Sequence, residues 1–194
     1  MERRTLWLAS SSSRRRELLA QLGLSYQVVS AAIDETPRSG EVAPAFVERM
    51  ALEKGRSAWR NLAQPPSSIV VAADTEVVVD NEVLGKPTSA EHGRAMLQRL
   101  SGRSHMVMSG VAVISALGEN SVVSESRVTF RVITPAEIDA YWSTGEPADK
   151  AGGYAIQGIG AIFIADLQGS YSGVMGLPLF ETALLLRQAG IVVL

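Results

Sequence analysis

Short apolar runs alternate with helix-like patterns along the whole chain. Six apolar or alternating runs predict strands, at residues 5–9, 26–32, 69–73, 106–114, 121–133 and 161–165. Amphipathic or capped patterns predict helices, one that follows the serine run and stops at Gly23 and others at 44–61, after the capping sequences 88–91 and 134–137, and at 178–188. Strands that alternate with helices in this way indicate an α/β or α+β protein.

Turn residues divide these elements. Asp80 and Asn81 separate two short apolar runs and predict a β-hairpin. Residues 64–66, which include two prolines, predict a loop. No internal repeat or linker is present, so the 194 residues are expected to form one domain over 1–194, with at most two lobes that share a core.

Composition narrows the class of ligand and the expected compartment. The formal net charge is only −2, whereas nucleic-acid-binding domains are usually strongly basic. Cysteine is absent, which excludes disulfides, thiolate zinc sites and a cysteine nucleophile. The N-terminal apolar run is too short for a signal peptide, and no run approaches the roughly 20 residues of a membrane span. We therefore expect a soluble cytoplasmic protein.

Three arginines stand where a helix is predicted to begin. Arg14, Arg15 and Arg16 follow a strand and a run of serines that starts at Ser10. A helix N-terminus is the positive end of the backbone dipole, so cations there are unfavourable unless an anion binds among them. A solvated helix face is the alternative interpretation. The position at a helix start, beside serine hydroxyls, favours a phosphate ligand.

Two more charged residues occupy positions that are expected to be buried. Lys54 falls on the apolar face of the predicted helix 44–61; it either reaches a shared cleft or extends its ammonium to water. Asp74 directly follows an apolar strand, and ligands of α/β proteins gather at the carboxyl ends of strands. A structural aspartate that binds turn amides is the alternative for Asp74.

Further charged residues lie at predicted element ends. Glu35 follows the strand 26–32, and Lys86 lies in a tight glycine–proline loop, where it could equally be an ordinary surface lysine. Carboxylates and phosphate oxygens together bind hard divalent cations, while lysine and arginine neutralise the remaining phosphate charge. The set therefore predicts metal-assisted phosphoryl chemistry with direct attack by water. His92 and His105 are too isolated for a metal site and are interpreted as structural or surface residues.

Six sequence motifs, in this order along nearly the whole chain, resemble the Maf family of nucleoside triphosphate pyrophosphatases. They are SSSSRRREL from Ser10, IDETPR from Ile33, EKGRS from Glu53, AADTEVVVDNEVLGKP from Ala72, DKAGGYAIQG from Asp149 and GLPL from Gly176. The resemblance implies a Maf/ITPase-like α/β fold, in which a long mixed twisted sheet is flanked by helices and two lobes enclose an active-site cleft. It also implies a homodimer, and hydrolysis of a nucleoside triphosphate to the monophosphate and pyrophosphate with Mg²⁺ or Mn²⁺.

The resemblance also assigns roles to individual residues. Asp74 corresponds to the base that activates water, and a metal-ligand role for the same carboxylate stays open. Glu35 corresponds to a metal-associated glutamate. The positions that correspond to triphosphate-binding residues are Ser10, Arg14, Arg15, Lys54 and Lys86. The roles of Asp149 and Lys150 are not assigned.

Three positions indicate the branch of the family. Arg14, Thr75 and Gln157 resemble the branch that acts on dTTP and UTP rather than on 7-methyl-GTP. An amide at Gln157 suits a pyrimidine edge because it both donates and accepts hydrogen bonds. Ser13 and Ala72 depart from the usual proline and glycine but remove no functional group. The expected activity is house-cleaning or pool-balancing hydrolysis of dTTP, UTP and base-modified pyrimidine triphosphates.

A binding protein from another functional class is the main alternative. The family has also been associated with arrest of septum formation, so the chain could be a nucleotide-binding regulator with incidental hydrolysis. Retained Asp74, Glu35 and Lys54 argue against pure binding, because a sensor needs no water-activating carboxylate. A structural or nucleic-acid-binding role is disfavoured by the charge and by the lack of an aromatic-basic stripe.

Overall fold

The computed structural model describes residues 4–63 and 66–194. Residues 1–3, which begin the basic N-terminus, and Gln64 and Pro65 of the predicted loop lie outside the described residues. Among the described residues, no helix combines the length and the apolar character needed to cross a membrane.

Strands and helices alternate along the described chain. The strands are β1 (Thr5–Leu8), β2 (Tyr26–Val28), β3 (Ser68–Val79), β4 (Glu82–Val83), β5 (Ser104–Ser115), β6 (Gly118–Phe130) and β7 (Ile164–Gln168). The α-helices are α1 (Ser13–Gln21), α2 (Ala43–Asn61), α3 (Ala90–Leu100), α4 (Pro135–Ser143), α5 (Tyr171–Met175) and α6 (Leu179–Gln188). Short 3₁₀ turns span Glu146–Asp149, Ala151–Gly153 and Ile159–Phe163.

All seven strands form one mixed sheet, in the order β2-β1-β3-β5-β6-β7, with β4 paired to β3. β1 is parallel to both β2 and β3, with Leu6 opposite Tyr26 on one side and Ile69 on the other. β4 and β7 run antiparallel to β3 and β6. The predicted α/β class with a mixed sheet is therefore confirmed.

The chain divides into two compact units. The first contains Met1–Asp74, Ser109–Ser124 and Gly176–Leu194, and the second contains Thr75–Met108 and Glu125–Met175. The chain therefore passes between the units four times, at 74/75, 108/109, 124/125 and 175/176.

Small side chains let α2 lie directly on the sheet in the first unit. Its core cluster consists of Ala9, Ala51, Ala58, Val70, Ala72, Ala112 and Ile114. A Cβ atom added at Gly110 of β5 would lie 2.3 Å from the carbonyl oxygen of Val47 in α2. The helix backbone therefore contacts the strand backbone at this point, which fixes the position of α2 and of the side chains that it carries.

We expect Gly110→Ala to destabilise the protein. The added methyl group meets backbone atoms rather than a flexible side chain, so it cannot be accommodated by a rotamer change. Overpacking of this kind costs about 1–3 kcal/mol, which for a chain of this size lowers the melting temperature by about 2–4 °C per kcal/mol. Thermal unfolding followed by circular dichroism measures the shift, and an unchanged melting temperature would contradict this packing.

The second unit has a larger, aromatic core. Phe130 stacks edge-on with Tyr154 at a centroid distance of 4.8 Å, and Tyr141 stacks edge-on with Phe163 at 5.1 Å. His105 is buried beside Phe130 and Tyr154, with its Nε2 2.8 Å from the Tyr154 hydroxyl. Burial lowers the pKa of His105 to about 4, so this histidine is a neutral core residue.

Some predicted bounds are wrong. The strand predicted at 26–32 ends at Val28, because the following backbone carbonyls bind side chains of α2. The Ser30 carbonyl accepts from the Asn61 side chain at 3.1 Å, and the Ala32 carbonyl accepts from the Ser57 hydroxyl at 3.2 Å. The strand predicted at 161–165 begins only at Ile164 and follows a 3₁₀ turn.

The capping predictions had mixed outcomes. Thr134 and Glu137 form the predicted capping box at the start of α4. At α3 the cap is Ser89, which accepts the His92 amide at 3.1 Å, so the capping pattern assigned to 88–91 is wrong by one residue. The hairpin is confirmed, since Asp80 and Asn81 both have positive φ between β3 and β4.

Candidate active site

Serine hydroxyls shape the start of α1. Ser12 is the N-cap and accepts the backbone N–H of Arg15, while the Ser10 hydroxyl accepts the N–H of Ser12 at 3.2 Å. Arg14, Arg15 and Arg16 occupy the first turn, which contains no acidic residue. The predicted accumulation of positive charge at a helix N-terminus is therefore present.

The three arginines differ in their environment. Arg16 is exposed and fits the solvated-face interpretation, whereas Arg14 and Arg15 are half-buried. The Arg15 side chain donates from Nε to the carbonyl oxygen of Gly176, at 2.8 Å. This bond ties the first turn of α1 to the GLPL motif within the same unit.

Lys54 points into the first unit. It lies on the face of α2 that also carries the fully buried Val47, Met50, Ala51 and Ala58. Its ammonium is 2.6 Å from Oδ1 of Asp74 and 2.9 Å from Oε1 of Glu35, and only 12% of the side chain is exposed. Of the two interpretations left open by the sequence, the one in which the ammonium extends to water is therefore wrong.

Asp74 lies inside β3 rather than at the end of a strand. The strand continues from Ser68 to Val79, so both the strand-end prediction and the turn-amide alternative are wrong. β3 pairs with the parallel strand β1 as far as Val71, which lies opposite Leu8. Asp74 lies three residues beyond the end of this pairing. Its side chain is 12% exposed and is bound by Lys54. The carboxylate is thus nearly buried and held by a cation.

Glu35 lies in an irregular segment that is fastened to α2. The Asp34 side chain accepts the Thr36 N–H at 2.9 Å, and Arg49 of α2 donates to the Thr36 carbonyl at 3.2 Å. Arg49 also forms two hydrogen bonds to Glu41, each of 2.6 Å. Hydrogen bonding by Arg49 lowers the pKa of Glu41 to about 2. The segment is therefore fastened to α2 directly after Glu35, although 61% of the Glu35 side chain is exposed.

Arg49 is a supporting residue that the sequence reasoning missed. It also contacts Glu53 at 3.4 Å, a spacing of i,i+4 along α2, and Arg38 contacts Glu53 at 3.2 Å. The alternation of acidic and basic residues at 38, 41, 49 and 53 was the available signal. Arg49, which is half-buried among carboxylates, holds the Glu35 segment through charge-assisted hydrogen bonds.

The donor set fits a divalent metal that binds together with phosphate. Among the described residues, no three or more histidine and acidic side chains come together as a metal cluster. Glu35 and Asp74 nevertheless meet on the same ammonium, that of Lys54. Mg²⁺ is usually bound by one or two protein carboxylates, with substrate phosphates and water as the other ligands. Two hard oxygen donors are therefore sufficient.

The other predicted site residues belong to the second unit. Thr75 directly follows Asp74 in β3 and is half-buried. Lys86 is exposed in the loop after β4, where the Gly85 carbonyl accepts the Gly152 N–H at 2.8 Å. Gln157 is exposed in the glycine-rich segment that follows Gly152. Within this unit, one backbone hydrogen bond therefore links the loop of Lys86 to the segment of Gln157.

The histidines have the predicted structural and surface positions. His105 is the buried core residue described above, and His92 lies in the first turn of α3, with its ring 3.0 Å from the Thr88 hydroxyl. The charged groups of the first unit therefore carry the candidate chemistry. Asp74 can accept a proton from water, and Lys54 can neutralise negative charge beside it.

Comparisons with known proteins agree with this chemistry. The family model described as Maf-like protein matches residues 5–189. The dTTP/UTP pyrophosphatase of Methylococcus capsulatus is 54% identical over 186 residues, which cover 96% of this chain and 91% of that protein. The proteins of the same name from Alkalilimnicola ehrlichii and Hahella chejuensis are 53% and 46% identical, over 94% and 97% of this chain and 92% and 94% of their own length.

A solved structure gives a weaker likeness. The Ham1 protein of Staphylococcus aureus aligns over 66% of this chain and 71% of its own, with a TM-score of 0.45 and 16% sequence identity.

Proposed function

Because this chain belongs to the Maf family, we propose that it is a dTTP/UTP pyrophosphatase that releases pyrophosphate and a nucleoside monophosphate. Identity of about 50% with enzymes of that name, over nearly the full length of both chains, supports the activity and the substrates. The structural observation that carries the proposal is the Lys54 ammonium, which binds both Asp74 and Glu35.

In the proposed reaction, Asp74 is the general base. Its carboxylate takes a proton from the attacking water, and the ammonium of Lys54 keeps that carboxylate in place at 2.6 Å. Asp74 and Glu35 would also hold Mg²⁺ or Mn²⁺, which supplies charge neutralisation on phosphate and lowers the pKa of a bound water. The Glu35 segment needs to be fixed for this purpose, and Arg49 fixes it.

The proposed triphosphate site is the positively charged start of α1. Arg14 and Arg15 neutralise phosphate oxygens, and the Ser10 hydroxyl and the positive end of the helix dipole add to the attraction of an anion. The bond from Arg15 to Gly176 restricts the guanidinium, so less side-chain entropy is lost when phosphate binds. Lys86 is proposed as a further phosphate ligand on the basis of the sequence resemblance.

Product identification tests the activity directly. With dTTP and Mg²⁺, we expect phosphorus NMR to show pyrophosphate and dTMP appearing in equal amounts. Inorganic phosphate together with dTDP would contradict the proposal. Tight nucleotide binding without any product would instead favour the nucleotide-binding regulator of septum formation.

Gln157 is the proposed selectivity residue, and Gln157→Glu tests it. Uracil and thymine present an N–H donor beside a carbonyl acceptor, which one amide can satisfy, whereas a carboxylate only accepts hydrogen bonds. A carboxylate can instead accept from the amino group of cytosine. We expect kcat/KM to fall for dTTP and UTP relative to dCTP, with little change in melting temperature.

The exposed Gln98 of α3 provides a control for the Gln157 prediction, because Gln98→Glu introduces the same charge elsewhere in the second unit. This variant should keep the substrate preference of the parent. If Gln157→Glu also keeps that preference, Gln157 has no role in selectivity.

The resemblance to the Maf family also supports the proposal that the protein is a cytoplasmic homodimer. Sedimentation at micromolar concentration should give about twice the mass of the 20.7 kDa chain. A monomer that retains full activity would remove the dimer from the proposal and leave the activity intact.

A further inference from the structure

One tyrosine–glutamate pair holds the segment that carries Gln157. Tyr141 of α4 donates its hydroxyl hydrogen to Oε1 of Glu146 at 2.7 Å. The same hydroxyl oxygen accepts the backbone N–H of Ala155 at 3.1 Å. This fixes the chain two residues before Gln157.

Glu146 fixes the chain on the other side of Gln157. Its Oε2 accepts the backbone N–H of Ile159 at 2.9 Å, and its Oε1 accepts that of Gly160 at 3.0 Å. Burial raises the pKa of Glu146, but hydrogen bonds from Tyr141, Gly160 and Ile159 outweigh burial and leave that pKa below its usual value. The carboxylate therefore stays ionised at neutral pH and makes charge-assisted hydrogen bonds.

The pair approaches the backbone closely at two glycines on this side. A Cβ atom at Gly158 would lie 2.2 Å from Oε2 of Glu146, and one at Gly160 would lie 2.7 Å from the Tyr141 hydroxyl. The glycines at 158 and 160 therefore allow Tyr141 and Glu146 to bind the main chain close to Gln157. Tyr141 and Glu146 together are called the clamp below.

We propose that Tyr141 and Glu146 are positioning residues for base selectivity, which act by holding Gln157 from both sides. The proposal rests on the selectivity role of Gln157 in the proposed function. If the backbone at residue 157 could shift, the amide could move to a position that satisfies the reversed donor–acceptor pattern of cytosine. Hydrogen bonds to the backbone at residues 155, 159 and 160 limit that shift, so a base of the wrong pattern leaves polar groups unpaired.

Tyr141→Phe tests the proposal. The ring of residue 141 keeps its contact with Phe163, so the variant loses the hydroxyl but not the packing. Loss of one or two hydrogen bonds at the clamp should lower the ratio of kcat/KM for dTTP to that for dCTP by about five- to tenfold. This ratio does not depend on the fraction of folded enzyme, so a purely structural role would leave it unchanged.

Three further variants show whether the effect of Tyr141→Phe acts through Gln157. Tyr171→Phe, at an exposed tyrosine of the same unit, should leave the ratio at its parent value. In a Gln157→Ala background, Tyr141→Phe should cause no further change, because the clamp acts only through Gln157. Glu146→Gln provides a second variant of similar shape and should lower the ratio in the same direction.

The outcomes separate the clamp from the proposed function. A parent enzyme that does not prefer dTTP to dCTP would overturn the selectivity role of Gln157 and the clamp with it. If the parent discriminates and Gln157→Ala removes the preference, but Tyr141→Phe and Glu146→Gln both retain it, the clamp alone is overturned. An additive effect of Tyr141→Phe in the Gln157→Ala background would also overturn it.

Discussion

Asp74→Asn is expected to reduce dTTP hydrolysis by about 10²–10⁴-fold, the usual contribution of a general base. Asparagine keeps the size and shape of the side chain but cannot take a proton from water. Its amide oxygen can still accept a hydrogen bond from Lys54, and Glu35 continues to neutralise that ammonium. The fold should therefore persist, and steady-state pyrophosphate release measures the loss.

A matched control distinguishes the loss of a general base from the general effect of removing one negative charge. Asp166→Asn makes the same change at an exposed residue of β7, where an amide oxygen can still accept from Gln168. This control should retain parental turnover. An Asp74→Asn enzyme that hydrolyses dTTP at the parental rate would show that Asp74 is not the base.

Lys54→Met is expected to weaken both catalysis and stability. Methionine can fill the buried stem of the lysine but removes the cation between Glu35 and Asp74, which then face each other as like charges. Loss of a preorganised charged donor should lower kcat/KM by on the order of 10²–10³-fold. The free energy of unfolding should fall by about 1–3 kcal/mol, because Asp74 is left nearly buried without its partner.

A double-mutant cycle provides the control for Lys54→Met. The double variant Lys54→Met/Asp74→Asn has neither the ammonium nor the buried carboxylate charge. It should therefore be more stable than Lys54→Met alone, as measured by urea unfolding. Strictly additive losses of stability would contradict direct coupling between the two side chains.

Local patterns predicted part of this site correctly. The 3.6-residue period of α2 placed Lys54 among Val47, Met50 and Ala51, and the structure buries all three. The serine run before Arg14 predicted the start of α1, because N-cap preference is a property of a few adjacent residues. Such features depend on near neighbours in sequence, so a sequence alone reveals them.

Contacts between distant residues could not be read in the same way. Lys54 and Asp74 are 20 residues apart, and their ion pair exists only because α2 packs against the sheet. The apolar run at 69–73 predicts a strand that ends at Asp74, although β3 continues through this residue to Val79. The backbone of a polar residue can remain in a strand when a partner from another element satisfies its side chain, and period-2 patterns do not reveal such a partner.

The residues that support the site from outside it were the part that the sequence predicted least. Arg49 and the Tyr141–Glu146 pair carry no catalytic motif, and their importance lies in the backbone groups that they bind. A side chain that binds a main-chain amide or carbonyl group leaves no periodic hydrophobic signal, and the charge alternation around Arg49 does not indicate which backbone group it binds. Only the glycines at 158 and 160 hinted at a close approach, without indicating what approaches them.

The substrate profile of the unmodified protein is the most direct test of its assignment as a dTTP/UTP pyrophosphatase. Pyrophosphate release should be measured as kcat/KM for all eight common ribo- and deoxyribonucleoside triphosphates in the presence of Mg²⁺. We expect dTTP and UTP to exceed every other nucleotide by at least about tenfold. Similar values for all eight nucleotides, or release of inorganic phosphate instead of pyrophosphate, would contradict the assignment.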